Sequence, residues 1–400
     1  MFVKRKYGVR SPHAVTAVLS SLLLVSSAEI LGQSATQDDN AQTAVALEQE
    51  GRTAEAEAAW KAVMRLHPKS PDAYAHLGFL EARQEHYTEA VPYYRKALAL
   101  NPSMPGLHMN LGLALFKAGE LKDAISTFTL LLKTEPANSP EAQRLTTLIG
   151  LAYYGLGKYA SAVPYLRKAA VYDPQSLAFR LALAHSCLGA KEYQCVLDVY
   201  KQILTLNAES AEADMLAGEA MDAMQDHAGA IQQFQAAVKA NTNEPTVHFG
   251  LGYLLWTQNR YPEAAEELQA ELSNVPDSAE AITYLADTEM KMSQPDKALP
   301  LLERAIKLSP AMEMAHLDLG ILHADAGRSK EALAELNIAV KLSPDDVTVH
   351  YRLARLLKAM GRQQEAAVEF KKTNSLHQAA SKTIHDQIEA MTAKEASKAR

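Results

Sequence analysis

The stretch from Pro71 to Met104 sets the pattern of apolar and polar positions for most of the chain. Counting Pro71 as position 1, an aromatic (Tyr74) stands at position 4, Leu77-Gly78 at 7 and 8, Ala90 at 20, Tyr94 at 24, Ala97 at 27 and Pro102 at 32. The same slots recur every 34 residues, from starts at 37, 71, 105, 143, 177, 211, 245, 279, 313 and 347. Four extra residues, Ser139 to Ala142, precede the fourth unit. Each unit is predicted to form two amphipathic helices, A over about positions 1–14 and B over about positions 17–30.

Three slots keep their character in all ten units. Position 8 is Gly or Ala, from Ala44 and Gly78 to Gly320 and Ala354, and position 20 is Ala in every unit but one, where it is Val196. A small residue on each helix lets the two backbones cross closely. Position 24 is always large and apolar, from Trp60 and Tyr94 to Leu336 and Phe370, and is expected to fill the space against the next unit. Gly51, Gly119, Gly157, Gly327 and Gly361 at position 15 would end helix A in a left-handed turn. Prolines at position 32, such as Pro102 and Pro310, would stop helix B. Ala208, Thr242 and Gln378 replace that proline, and Glu271 replaces a small residue at position 27. The first unit, with Asn40 and Thr43 in place of the aromatic and Leu, is the weakest match.

These slots resemble those of the tetratricopeptide-repeat family. The resemblance covers residues 37–380. It implies an all-α, right-handed superhelical solenoid of about ten helix-turn-helix repeats. Residues 381–400, with Ile384, Ile388 and Met391 in a stripe, suit a C-terminal capping helix and tail. In the family, helix A lines a concave groove through positions 2, 5, 9 and 12. Carried onto this chain, those positions give an apolar strip of Phe79, Met109, Leu113, Phe116, Leu151, Tyr154 and His185. An acidic part with an aromatic centre follows: Glu219, Asp222, Phe249, Tyr253, Trp256 and Asp287. Some of these residues would instead pack between helices. The Lys–Asn pair with which some family members clamp a C-terminal carboxylate is absent, since positions 5 and 9 read Ala75 and Phe79, then Met109 and Leu113.

Charge and composition narrow the function. A formal charge of −7 argues against a nucleic-acid partner, which needs a clustered basic surface. The N-terminus is different in kind: Lys4, Arg5, Lys6 and Arg10 precede a mostly apolar run from Ala14 to Ala28 that ends in small residues. That pattern predicts a signal peptide over residues 1–28, with Ser34 as the second choice of cleavage site, and a linker over 29–36. An uncleaved membrane anchor is the alternative. Cleavage would remove four positive charges and no negative one, taking the charge from −7 to −11 and leaving no membrane span. The chain is therefore expected in the periplasm or outside the cell, where Cys187 and Cys195, on either side of one inter-helix turn, are candidates for a disulfide.

Among the thirteen histidines, His108, His248, His316 and His350 share position 4, the slot of a packing ring. No phosphate loop, nucleophile elbow or metalloprotease helix is present, so no cofactor, metal or catalysis is expected. An acid/base pair made of Asp222 and Asp287 is the remote enzymatic alternative. The reading is a non-catalytic scaffold or adaptor that binds a protein or peptide segment, basic or amphipathic, in an exported or envelope assembly. The alternative is a glycan-binding or polysaccharide-export accessory subunit.

Overall fold

The structure, a computed structural model, describes residues 39–207 and 209–398. The expected signal peptide and linker lie outside the described residues. Among the described residues there are twenty helices and no strand. Helix A of the successive repeats is α1 (Asp39–Gln49), α3 (Pro71–Arg83), α5 (Leu107–Lys117), α7 (Pro140–Gly155) and α9 (Leu177–Gly189). It continues as α11 (Ala211–Ala223), α13 (Val247–Thr257), α15 (Ala279–Lys291), α17 (Glu313–Asp325) and α19 (Val347–Ala359). Helix B is α2 (Thr53–Leu66), α4 (Tyr87–Leu100), α6 (Leu121–Leu132), α8 (Tyr159–Tyr172) and α10 (Tyr193–Leu206). Then come α12 (His227–Ala240), α14 (Tyr261–Asn274), α16 (Pro295–Leu308), α18 (Ser329–Leu342) and α20 (Gln363–Lys398). The chain divides within α12, between Gln233 and Phe234, into two compact units.

Each repeat turns on the same backbone device. At position 15 the five glycines have φ between 66° and 81°, and the five other residues there, Glu85, Lys191, Gln225, Asn259 and Ser293, are left-handed too, with φ between 58° and 68°. The following N–H then reaches back to helix A, as from Glu120 to the Leu115 carbonyl at 2.8 Å and from His86 to Glu81 at 2.9 Å. This closes the helix end on its own carbonyls. The start of helix A is fixed by a serine: Ser70, Ser176, Ser210 and Ser278 accept the N–H of Ala73, Phe179, Ala213 and Ala281. In the fourth repeat Ser139 takes this role, with Pro140 at the first helical position, so the insertion adds a turn to α7. That helix has 16 residues against 13 in α9.

The small slot at position 8 is where the position-24 side chain lies. A Cβ at Gly112 would come within 2.4 Å of Phe128, and one at Gly78 within 2.8 Å of Tyr94. Position 24 thus packs first within its own repeat. It reaches the next one as well: Trp60 stacks on His76 with centroids 4.3 Å apart, and a Cβ at Gly250 would meet Phe234 at 2.1 Å. Trp60, Tyr94, Phe128 and Phe234 are accordingly buried. The first repeat, the weakest match in sequence, is tied to the second by a network in which Glu48 Oε2 accepts from the Trp60 indole at 3.2 Å and pairs with His76 at 2.8 Å.

Glu271 and the position-4 histidines each have a structural role. Glu271 is buried, and its carboxylate accepts the N–H groups of Thr246 at 3.2 Å and Phe249 at 3.1 Å. It thereby caps α13, whose own N-cap residue, Thr246, is left-handed and makes no side-chain cap bond. The position-4 histidines form a repeated tie. Nδ1 of His248, His316 and His350 meets Glu267, Glu335 and Glu369 at 2.6, 2.6 and 2.5 Å. Nε2 meets Thr242 Oγ1 or the carbonyl of Pro310 or Pro344 at 2.9–3.1 Å. Each ring joins its own helix B to the end of the preceding one. His108 has Thr127 where the others have glutamate.

The C-terminal helix expected over 381–400 is not separated from the last repeat. The backbone of α20 runs without a break from Gln363 to Lys398. No glycine or proline follows Gly361, and Gln378 stands where proline would end helix B, so nothing stops the helix.

Candidate functional site

In the first unit, the residues expected to line helix A fall into two groups. Phe79, Met109, Leu113, Phe116 and Leu151 are buried between helices and act as core. Tyr154 and His185 are half-buried, with ring centroids 6.3 Å apart, and His185 Nε2 lies 2.7 Å from Glu212 Oε1. Burial, helped by Tyr159 and Glu212, pushes the Tyr154 hydroxyl up to about 12. On α11, Asp222 is buried and its Oδ1 pairs with His227 Nδ1 at 2.9 Å. Glu219 has a buried Oε1 without a hydrogen-bond partner, and burial, followed by the charge of Asp222, pushes its carboxyl up to about 8. What this face offers is a polar ladder over an apolar base.

The second unit brings the aromatic residues together. Phe249, one turn into α13, is buried, whereas Tyr253 and Trp256 are half-buried. The rings of Tyr253 and Trp256 stack at 6.0 Å, and Tyr284 of α15 stands edge-on to both, at 5.3 and 5.1 Å. The Trp256 indole N–H donates to Asp287 Oδ2 at 2.7 Å, and Asp287 Oδ1 lies 3.7 Å from Lys291 Nζ. Burial, with the charges of Tyr253, Asp287, Asp318 and Glu313, holds the Tyr284 hydroxyl well above the usual tyrosine range.

Tyr284 and Asp318 were not among the sequence-based candidates. Both stand at position 6, which the family groove positions skip. The signal lies in the packing. Position 6 of one helix A faces positions 9 and 12 of the preceding one, as the contacts of Tyr284 with Tyr253 and Trp256 show. Asp318 is 5% exposed and its Oδ2 has no hydrogen-bond partner. Burial, reinforced by Asp287, raises its carboxyl well above the ordinary range against the opposing pull of Lys291 and Arg352. Glu313 is pushed up to about 7, by burial and then by Asp346.

Asp222 and Asp287 stand in different units, each already engaged by a neighbour on its own unit. Cys187 and Cys195 are joined by a disulfide across the turn between α9 and α10, with Cα atoms 5.9 Å apart. With Glu192 they form a group of metal-ligating type, but the bonded sulfurs are not thiolates and cannot ligate as such. Among the described residues, no helix is long and apolar enough to cross a membrane.

The family described as tetratricopeptide repeat matches residues 81–149. A second description of the same name matches 42–105, 147–195, 222–279, 285–347 and 317–372. Among curated proteins, the BBSome complex member BBS4 of Bos taurus is 24% identical over 271 residues, which make up 68% of this chain and 51% of that protein. The protein CTR9 homolog of Arabidopsis thaliana is 21% identical over 283 residues, 68% of this chain and 26% of that protein. The chain thus spans about half of the first of these curated relatives and about a quarter of the second. The crystal structure of a tetratricopeptide repeat protein from Parabacteroides merdae is 18% identical, with a TM-score of 0.49, and the match covers 62% of this chain and 97% of that one.

Proposed function

The chain belongs to the tetratricopeptide-repeat family, and from that premise we propose that it is a non-catalytic adaptor that docks a segment of a partner protein on α13 and α15, the A helices of the seventh and eighth repeats. The fold is a protein-interaction scaffold, and the reading adds a place on it. The observation that carries it is the ring cluster of Tyr253, Trp256 and Tyr284 with Trp256 hydrogen-bonded to Asp287. Half-buried rings supply contact area at low entropy cost, and surrounding acids select a basic or amphipathic segment. The test is crosslinking with mass spectrometry in native extracts. Trp256→Ala is expected to lose the partner crosslinks that wild type forms around α13 and α15. Unchanged crosslinks would remove the site, and binding of a neutral oligosaccharide lost in the same variant would favour a glycan instead.

The place of action belongs to the same proposal. The basic cluster and apolar run before Ala28 support export, as does the cystine of α9 and α10. An exported adaptor in an envelope assembly is the reading. N-terminal sequencing of the native protein should begin near Glu29, and a chain that keeps Met1 and stays with membranes after alkaline extraction would replace export by anchoring.

A further inference from the structure

We propose that the docking face of the second unit seats the guanidinium of a partner arginine beside Trp256, between the carboxylates of Asp287 and Asp318. This rests on the docking reading and narrows it to one side chain. The 34-residue repeat places Asp318 on α17 where Tyr284 stands on α15. Tyr284 looks onto the preceding helix A, at Tyr253 and Trp256. Asp318, one repeat later, looks onto α15 and senses Asp287 and Lys291 there. An aspartate that is 5% exposed with an unpartnered oxygen is costly by itself, and a cation placed against it removes that cost.

The surroundings favour such a cation. Asp287 and Glu313 act on Asp318 against Lys291 and Arg352, and Asp346 acts in turn on Glu313. Arg352 comes from the following helix A, α19, and does not hydrogen-bond the free oxygen. Lys291 is weakly held: its side chain is 49% exposed and its nitrogen is 3.7 Å from Asp287, beyond hydrogen-bond length. It is the group that an incoming cation would displace. Guanidinium suits the place better than ammonium, because its flat face stacks on the indole while its fork of N–H groups serves two carboxylates. An ammonium is a hydrated point charge that cannot do both.

The test is a titration of the full ¹⁵N-labelled chain with N-acetyl-arginine amide, followed at the Trp256 indole N–H, whose signal is the one missing in Trp256→Phe. A saturable shift is expected at millimolar ligand, and none with the lysine or citrulline amides. Asp318→Asn should weaken binding by about tenfold, and Lys291→Met should strengthen it by about threefold, a gain that a merely structural lysine would not give. If Asp318→Asn fails to fold, Lys291→Met decides alone. An unmoved indole signal, an equal response to the lysine or citrulline amide, or Lys291→Met binding no tighter than wild type overturns the guanidinium seat. The docking reading is judged separately by the crosslinks: their loss in Trp256→Ala without any arginine response would sink the seat and leave the docking face standing.

Discussion

Position 15 shows how far a single residue can depart from its preference when the fold demands it. Glycine adopts a left-handed backbone freely, whereas a residue with a Cβ is strained there. Glu85 and Lys191 nevertheless hold φ of 62° and 64° because the turn that follows is the same in every repeat. Replacing either by glycine should stabilise the protein by about 0.5–1 kcal/mol. The measurement is the urea midpoint of Glu85→Gly and Lys191→Gly, and a fall in both would mean that the side chains make contacts worth more than the strain. The five glycines at this slot were legible in sequence. Of the other five only Asn259 is of a type that visits this region readily, and nothing in Glu85, Lys191, Gln225 or Ser293 announces a positive φ.

At the scale of the helix, ends matter more than middles. Glu271 reads as a misfit in a small-residue slot, yet it caps a neighbouring helix in its own repeat. Its removal leaves two N–H groups at the start of α13 without acceptors, and Glu271→Ala should cost about 2–4 kcal/mol. Hydrogen exchange should localise the loss to Thr246 and Phe249, and protection unchanged at both would show that another acceptor takes over. The disulfide acts on the same scale. It closes a short loop between α9 and α10, so reduction should cost about 2–3 kcal/mol on a chain-entropy account. Reductant should lower the thermal midpoint of wild type and leave Cys187→Ala/Cys195→Ala unaffected. Sequence alone left that pair open, because spacing does not determine where the Cβ atoms point.

For the whole molecule, buried carboxyls set the response to pH. Burial, followed by the charges of Asp222 and Asp346, pushes the carboxyls of Glu219 and Glu313 up to about 8 and about 7, against an ordinary glutamate value of 4.5. The folded protein therefore keeps protons that the unfolded chain has released, and stability falls as pH rises through this window. The thermal midpoint should be higher near pH 5 than near pH 8.5, by several degrees. Glu219→Gln should flatten that slope, and an unchanged slope in the variant would remove Glu219 as its source. The all-α repeat architecture was legible because it rests on residues that recur in register, such as Gly78 against Tyr94 and Gly112 against Phe128. The site was only partly legible. Phe79, Met109 and Leu113 sit at groove positions by number but are buried. Asp318 gains its character from α15, a neighbour that no local pattern names.

Because every repeat turns on the same left-handed residue and many begin on a serine, a repeat can be treated as a cassette. Excising residues 177–210 would join Ser176 directly to Ala211, and Ser176 would inherit the cap that Ser210 gives to the Ala213 N–H. The shortened chain should remain helical and melt cooperatively, with its cystine gone and the downstream ring cluster of Tyr253, Trp256 and Tyr284 unaltered by near-ultraviolet dichroism. A molten product would show that the joints, though alike in backbone, are matched pair by pair in their side chains. The length of this protein would then be a fixed property and not an adjustable one.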